Sequence, residues 1–568
     1  MKKVLYVPLD DRPVNLDDVI VQGKSAGIEV ITPCTRDITN RLDSQKTASG
    51  SILESTFAPT FGNMPNIRQF ILDHANHVDG FIISADMLAY GGLIGSRRLR
   101  SSESGNYPDY DASTTDLLDV IRIVKQAYPS KPVYVLDTIM RLATTTYVEG
   151  VFQNAYDESR AFMMQPRKEV FSFHEILNGY DTKPDGSLYE DTTTFNKEHY
   201  YEARRHKFKT NYYILDQLLR LGYIDFLAIG VDDSSTQGVQ ANEITFIEGY
   251  ITACLGGTDG QNPERAIILP DADGLGHSLM ARMANHLLCI ENKTRYTVRY
   301  FGPHGSTIIN PYEYMSVHEN ISHHVDIVGG RLVSDCPDVE IIAVTDVSQV
   351  SSAIDKIESN SEHRIPTVVI DFVARGAANK DVTEALLDSP ATGLLLGYSG
   401  WNTAGNKIGI ALGMAQARYA YLTTETHCAS IDAATDAHGT LLFKRFLKDY
   451  YYKTLTIGEI RQYSRANTLY SNIPYADANF LLFNSENDYH HVIGMLRERM
   501  QAHTDTLAAR NAFRIGHPHA SHSIRQICGE VWSYSSYISA CIPYDNPSFL
   551  WHRAFEITVN PDVTLSCS

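Results

Sequence analysis

Cysteine is scarce in this sequence, and the spacing of the few cysteines excludes several classes of protein. The chain has eight cysteines in 568 residues, and no two of them form a CxxC pair. A zinc ribbon, a thioredoxin-type redox site and a disulfide scaffold are therefore excluded. GxSxG and HExxH motifs are also missing, and Gly23-Lys24-Ser25 lacks the upstream glycine of a phosphate-binding loop. We predict no cofactor and no bound metal, and we interpret His517, His519 and His522 as a solvated cluster.

Positive charge and long apolar runs are scarce as well. Lysine and arginine number 49 against 67 aspartates and glutamates, which gives a formal net charge of −18. A chain this acidic, without a run of basic residues, is a poor partner for nucleic acid or for an anionic membrane surface. No window approaches the roughly 18 apolar residues of a membrane span, and the first residues lack the pattern of a signal peptide. We expect a cytoplasmic protein with a small, neutral or weakly charged ligand, and we leave open whether it forms a homo-oligomer.

The sequence does contain a repeated pattern of short apolar runs separated by helix-like segments. The runs cover residues 4–9, 28–32, 80–84, 132–136, 224–231, 266–269, 297–301, 340–344, 367–370 and 393–397. Their length and β-branching are typical of buried strands in a parallel sheet, and the alternation with helices indicates an α/β fold. We predict a TIM-like (β/α)8 barrel in which the runs at 28–32 and 297–301 are extra. An open doubly wound sheet and two α/β domains are the alternatives.

Two regions interrupt this repeat. Residues 142–222 form a long insertion in the predicted barrel domain, 1–425, with a helix-like stretch at 198–213. After about residue 425 the strand rhythm fades, so residues 426–568 are predicted to form a mainly helical C-terminal domain with one final strand at 554–559.

The sharpest local signal is a pair of adjacent acids, Asp232 and Asp233, at the end of the run 224–231. A helix is predicted to begin directly afterwards, with Ile244, Ile247 and Ile251 on its buried face. Two carboxyl groups held close together cannot both ionise easily, so one pKa should rise. A protonated acid beside an ionised one suits acid catalysis on a glycosidic oxygen. The competing interpretation is a helix cap together with a structural aspartate paired to arginine.

Acids also follow other runs, where the carboxyl ends of parallel strands would gather them on one side of the fold. Together with nearby polar and aromatic residues they form the predicted substrate-binding set: Asp10, Asp11, Arg12, Asn15, Asp86, Tyr90, Arg97, Asp137, Arg141, Asp271, Asp273, Tyr398, Trp401, Asn402 and Asn406. The last four come from a glycine-rich block at 397–409, which could offer a sugar an aromatic face and amide hydrogen bonds.

Two resemblances to known families follow from these blocks. The segments VPLDDRPVN (7–15), 84–97 and GWNTAGNKIG (400–409) resemble hallmark blocks of a bacterial family of unknown function, number 4127, over most of the chain. The segment after 367–370 departs from that family's pattern, so no ligand contact is predicted there. The Asp-Asp block is similar to the catalytic block of family 84 glycoside hydrolases, which remove β-linked N-acetylglucosamine. That resemblance implies substrate-assisted catalysis, in which Asp232 orients the acetamido group and Asp233 is the acid and base.

These observations predict a retaining glycoside hydrolase similar to a β-N-acetylhexosaminidase, with a small carbohydrate as substrate. Asp232 and Asp233 are the predicted catalytic residues. One alternative is a hydrolase or lyase in which strand-end aspartates hold a divalent metal. The other is a sugar-binding protein without catalytic activity.

Overall fold

The computed structural model describes most of the chain. The described residues are 1–42, 44–46, 52–54, 59–100, 110–146, 148, 153–374, 376–424, 428–467, 481, 483, 485–516, 524–528 and 531–567.

The N-terminal half builds an open parallel sheet of six strands. Its strands, with a separate hairpin formed by β3 and β4, are β1 (Lys2–Val7), β2 (Ile28–Ile31), β3 (Ser44–Lys46), β4 (Ile52–Glu54), β5 (Gly80–Ser84), β6 (Val133–Ile139), β7 (Phe226–Val231) and β8 (Ala266–Leu269). The sheet order is β2-β1-β5-β6-β7-β8, and all neighbours run parallel. Leu5 and Val7 pack into one core cluster while Val4 and Tyr6 pack into another, so β1 is buried on both faces as its apolar run predicts.

In the described part of this half, twelve helices cover or extend the sheet. They are α1 (Asp17–Ser25), α2 (Thr35–Ile38), α3 (Met64–His74), α4 (Ala85–Tyr90), α5 (Leu93–Ser96), α6 (Ala112–Leu118), α7 (Val120–Ala127), α8 (Gln153–Met163), α9 (Phe173–Gly179), α10 (Lys197–Tyr213), α11 (Gln240–Leu255) and α12 (Leu275–Leu287). Short 3-10 and π-helical turns follow α3 and α10, at Ala75–His77 and Ile214–Leu219. The insertion at 142–222 thus contains α8, α9 and α10.

A second open parallel sheet follows. Its strands are β9 (Thr294–Phe301), β10 (Gly330–Leu332), β11 (Val339–Val344), β12 (Thr367–Asp371) and β13 (Gly397–Ser399), in the order β10-β9-β11-β12-β13. The helices of this sheet are α13 (Val317–Ile327), α14 (Val350–Glu362), α15 (Lys380–Asp388) and α16 (Ala404–Thr424), with 3-10 turns at Val347–Gln349 and Pro390–Leu394. Helices α12 and α16 pack together, and a single core cluster runs from the first sheet through them to the second.

The α/β class is confirmed, but the strands form two open sheets instead of the predicted closed barrel. In the first sheet β2 and β8 occupy the two edges, whereas a barrel would require its first and last strands to pair. The runs at 28–32 and 297–301, predicted to be extra, are β2 and β9, and both pair with neighbours inside a sheet.

The C-terminal segment adds strands to the predicted helices. Its helices are α17 (Cys428–Phe446), which continues as a π-helical turn (Leu447–Thr456), α18 (Ile457–Asn467) and α19 (Glu486–Ala509). Its strands are β14 (Ile524–Cys528), β15 (Val531–Cys541), β16 (Ser548–Leu550), β17 (Arg553–Thr558) and β18 (Asp562–Cys567). They form two small antiparallel sheets, β14-β15-β18 and β16-β17, and β17 corresponds to the strand predicted at 554–559.

Gly405, at the start of α16, allows this helix to approach the loop after β8. A Cβ atom added to Gly405 would lie 1.7 Å from the backbone oxygen of Pro270, so the backbone itself would have to move. We expect Gly405→Ala to lower the free energy of unfolding by about 1–3 kcal/mol. The matched control is Gly494→Ala in α19, where nothing lies within 4 Å of the added atom. That change should stabilise the protein by about 0.5–1 kcal/mol. Urea unfolding of both variants tests the pair, and equal destabilisation would contradict the close approach.

Candidate functional site: a polar cleft at the carboxyl ends of the strands

A cavity of about 450 Å³ lies at the carboxyl ends of β7 and β8. Its other walls come from the segments after β1, β6 and β9, from α5, from the start of α8, from the residues that lead into α16 and from β17. Both parallel sheets and the C-terminal segment therefore contribute to one cleft. Ligands of open α/β sheets bind outside the carboxyl ends of the strands, which makes this cleft the candidate functional site.

Asp232 lies deep in the wall of this cleft, with only 6% of its side chain exposed. Its carboxylate pairs with Arg97, the residue that follows α5. Burial raises the pKa of Asp232 to about 6, although the cation of Arg97 acts in the opposite direction. A carboxyl group with this pKa can exchange a proton near neutral pH, as an acid or base catalyst must.

Asp233 is the more accessible acid, with 25% of its side chain exposed in the same cleft. Its φ of 41° is in the left-handed region, which aspartate tolerates better than most residues. The backbone therefore turns directly after β7, and the side chains of both adjacent acids line one cavity. The Arg141 guanidinium group lies 3.4 Å from the Asp233 carboxylate. Arg160 donates a hydrogen bond of 2.7 Å to the backbone oxygen of Asp233.

The sequence predicts a helix that begins directly after Asp233, but in the structure this helix, α11, begins several residues later. Gly238 has a φ of 124°, and α11 starts at Gln240. The predicted buried face of this helix is confirmed, because Ile244, Ile247 and Ile251 are all buried.

Five of the predicted substrate-binding residues form one hydrogen-bonded network: Arg12, Asp273 and Asn402 line the cleft, whereas Asp10 and Asn15 are buried outside its lining. Arg12 pairs with Asp10 at 2.8 Å and holds Asp273 through two contacts of 3.0 and 2.5 Å. The Asn15 amide group donates hydrogen bonds to the carboxylates of Asp10 and Asp273, at 2.8 and 3.1 Å. The Asn402 amide group donates a hydrogen bond of 3.0 Å to the Asp273 carboxylate. The network joins the end of β1 to the loops before α12 and α16. With so many donors, the Asp273 carboxylate is suited to holding the wall in place.

Asp271 and Asn406 shape the loop after β8 in the same wall. Asp271 accepts the backbone N–H groups of Ala272 and Gly274 at 2.6 and 2.9 Å. Asn406 accepts the N–H groups of Ala272 and Asp273 at 3.2 and 3.0 Å. Burial raises the pKa of Asp271 to about 8, so this carboxyl group is protonated near neutral pH.

Three predicted site residues lie away from the lining of the cleft. Asp86 and Asp137 are buried and pair with Lys207 of α10 at 2.9 and 2.6 Å. The Tyr90 hydroxyl group bonds to Thr210 of the same helix at 2.6 Å. Helix α10 belongs to the 142–222 insertion, and it covers the strand ends that the sequence pattern assigned to the substrate.

Tyr398, Trp401 and Asp11 also lie outside the lining. Tyr398 is fully buried and stacks on Phe446, with ring centroids 4.1 Å apart. Trp401 is 3% exposed, and the Nζ atom of Lys453 lies 4.0 Å from its ring centroid. Both aromatic residues of the glycine-rich block therefore pack in the interior instead of facing a sugar.

The sequence analysis did not predict the aromatic residues that line the cleft as site residues. Tyr156 is in α8, and Tyr312 is in the loop after β9. Trp551 precedes β17, and Phe555 lies in β17. The indole N–H of Trp551 donates a hydrogen bond of 3.0 Å to the Asp11 carboxylate, so Asp11 supports the wall of the cleft from behind.

Six polar residues that line the cleft were also missed by the sequence analysis: Thr145, Thr146, Gln153, Asp157, Thr403 and Arg553. Thr403 lies in the glycine-rich block at 397–409, but the others do not directly follow an apolar run, so the strand-end signal could not find them.

Among the residues that the structure describes, no group of three or more His, Cys, Asp or Glu side chains is arranged to hold a metal ion. His517, His519 and His522 lie outside the described residues. Within the described ranges, no helix is long and apolar enough to cross a membrane.

The fold and the cleft together define an α/β protein with a polar site at the carboxyl ends of parallel strands. The chain belongs to the family described as "Protein of unknown function (DUF4127)", whose profile matches residues 4–560. The resemblance to this family that its sequence blocks indicate is thereby confirmed.

The other comparisons add little. No curated protein matches the chain. One similar solved structure is a UDP-glucosyltransferase from Polygonum tinctorium capable of glucosylating indoxyl and 3,4-dichloroaniline. It is 10% identical, the match covers 78% of this chain and 98% of that chain, and the TM-score is 0.17. A TM-score this low supports no conclusion about fold or activity.

Proposed function

We propose that this protein is a retaining glycoside hydrolase that acts on β-linked N-acetylhexosaminides, with Asp232 and Asp233 as its catalytic residues. The observation that carries the proposal is that these adjacent acids line one polar cleft but differ in environment. Asp232 is nearly buried beside Arg97, whereas a quarter of the Asp233 side chain is exposed beside Arg141. Two carboxyl groups in unlike environments can take the two roles that glycoside hydrolysis requires.

The raised pKa supports Asp232 as the acid and base, which is the reverse of the order that the family 84 resemblance implies. In the first step the acetamido oxygen of the substrate attacks the anomeric carbon. The bond from that carbon to the leaving oxygen breaks, and Asp232 gives its proton to the leaving oxygen. Asp233 accepts a hydrogen bond from the acetamido N–H and stabilises the positive charge of the cyclic intermediate. In the second step water attacks the anomeric carbon, the bond from that carbon to the acetamido oxygen breaks and restores the acetamido group, and the proton of the water passes to Asp232, so the configuration is retained.

A panel of 4-methylumbelliferyl glycosides tests the activity directly. We expect the native protein to release the fluorophore from the β-N-acetylglucosaminide or β-N-acetylgalactosaminide and Asp233→Asn to release far less. Asp335→Asn changes an exposed acid in a turn next to the second sheet, outside the cleft, and should match the native protein. No release from any glycoside would overturn the proposal. Release that chelators abolish would favour a metal-dependent hydrolase instead.

The pH dependence of kcat/KM should report the Asp232 carboxyl group. Because Asp232 must be protonated to act as the acid, we expect activity to fall as the pH rises through about 6. Arg97 favours the ionised form, so Arg97→Gln should raise this pKa and move the alkaline limb of the profile to higher pH. An alkaline limb that stays in place in Arg97→Gln would contradict the assignment of Asp232.

A further inference from the structure

We propose that a second chamber beside the polar cleft binds the leaving group of the substrate, and that this group is an uncharged aromatic aglycone. The inference rests on the proposed function and adds the class of substrate. The second chamber measures about 440 Å³. It shares Tyr156, Asp233, Tyr312, Asn402 and Thr403 with the polar cleft, so the two spaces adjoin.

The two spaces differ sharply in charge. Nine ionisable Asp, Arg or Lys side chains line the polar cleft, whereas two line the second chamber among the described residues, namely Asp233 and Lys407. Asp233 stands at the junction. The Lys407 ammonium group donates to the backbone oxygens of Asp371 and Ala374 at 2.6 and 2.9 Å. Its charge is therefore engaged with the loop after β12, and the chamber suits an uncharged group.

The walls of the second chamber combine apolar and aromatic side chains with a few neutral polar ones, Asn310, Asn402 and Thr403. Phe372 and Ala374 follow β12, Pro311 and Tyr312 come from the loop after β9, and Ala404 begins α16. A flat aromatic ring gains both apolar burial and favourable ring contacts in such a space. The segment after β12, where the sequence predicts no ligand contact, thus lines this chamber.

The position of Asp233 sets the orientation of the substrate. Because Asp233 lines both spaces, a glycoside that spans them places its anomeric carbon at the junction, with the sugar on the charged side. The aglycone oxygen leaves toward the second chamber with the proton from Asp232, so the bond that breaks is the one that crosses the junction.

Binding of free 4-methylumbelliferone, followed by its fluorescence, tests the chamber without any hydrolysis. We expect Ala374→Phe, which adds a ring to the wall and narrows the chamber, to weaken binding about tenfold or more. Ala502→Phe makes the same change at an exposed position of α19 and should leave binding as in the native protein. If the melting temperature shows that Ala374→Phe does not fold, Phe372→Leu tests the same wall and should weaken binding in the same direction.

Kinetics on paired substrates separate this inference from the proposed function. The ratio of kcat/KM on the aryl N-acetylhexosaminide to that on the methyl one should be high in the native protein and in Ala502→Phe, and it should fall in Ala374→Phe. Hydrolysis of both glycosides with no aryl preference, or binding of 4-methylumbelliferone that neither chamber variant weakens, would overturn the chamber assignment alone. Absence of hydrolysis with intact, Ala374-dependent binding would overturn the proposed function and leave the chamber as a site for aromatic ligands.

Discussion

Asp232→Asn is expected to lower kcat/KM on N-acetylhexosaminides by roughly 10²–10⁴-fold, the usual contribution of a general acid. An amide has nearly the shape of the carboxyl group but cannot protonate the leaving oxygen. The loss should therefore depend on the leaving group. An alkyl glycoside needs the proton and should lose the full factor, whereas a glycoside of an acidic phenol should lose much less in the first chemical step. Rates across a series of aryl and alkyl glycosides measure this dependence.

Asp233→Asn is the internal comparison for this experiment. Because Asp233 is assigned to the charge on the sugar, its loss should slow all leaving groups to a similar extent. Asp335→Asn controls for the change of charge outside the cleft. If Asp233→Asn shows the leaving-group dependence and Asp232→Asn does not, the roles are those that the family 84 resemblance implies. If neither substitution reduces the rate, the pair is not catalytic.

The second large effect concerns stability. Asp18→Ala should lower the free energy of unfolding by about 3–5 kcal/mol, because it removes the carboxylate that lies closest to two buried cations. The Asp18 carboxylate lies 2.5 Å from Lys444 and 2.5 Å from Arg445, and all three side chains are buried. These contacts join α1 of the first sheet to α17 of the C-terminal segment. Urea unfolding measures the loss.

Asp17→Ala, one residue earlier on α1, is the matched control. Asp17 is only partly buried in the first turn of the helix, so its removal should cost about 0.3–1 kcal/mol. Burial opposes ionisation of Asp18, but Lys444 and Arg445 outweigh it and hold its pKa below the ordinary 3.8. The stability that Asp18 provides is therefore present above about pH 4 and is lost as the pH falls further. Equal, small effects of both substitutions would contradict the buried network.

The strands were largely predictable, whereas their arrangement was not. The runs at 80–84 and 266–269 coincide with β5 and β8, because a strand buried on both faces needs a continuous apolar run. The same runs would suit a closed barrel or open sheets, since closure depends on which edge strands pair. The spacing of apolar residues along a helix reports only on that helix. It does not reveal that β9 begins a second sheet.

The candidate site was predictable where it depends on strand ends and unpredictable where distant segments meet. Asp232, Asp233 and Asp273 line the cleft because each follows a parallel strand. Asp137 follows a strand too, but Lys207 of the insertion pairs with it and α10 covers it. Trp551 reaches the cleft from a strand pair more than five hundred residues from Asp11, and no local pattern reports such a contact.

The most direct test of the account is the crystal structure of this protein with a thio-linked aryl N-acetylhexosaminide, which resists hydrolysis. The account predicts the sugar among the charged side chains of the cleft and the aryl group beside Phe372. It also predicts the linking sulfur beside the Asp232 carboxyl group, at the place where the oxygen of a natural substrate would be within the reach of about 2.6–3.2 Å that proton transfer requires. A ligand bound elsewhere, or a linking sulfur that neither Asp232 nor Asp233 can reach, would contradict it.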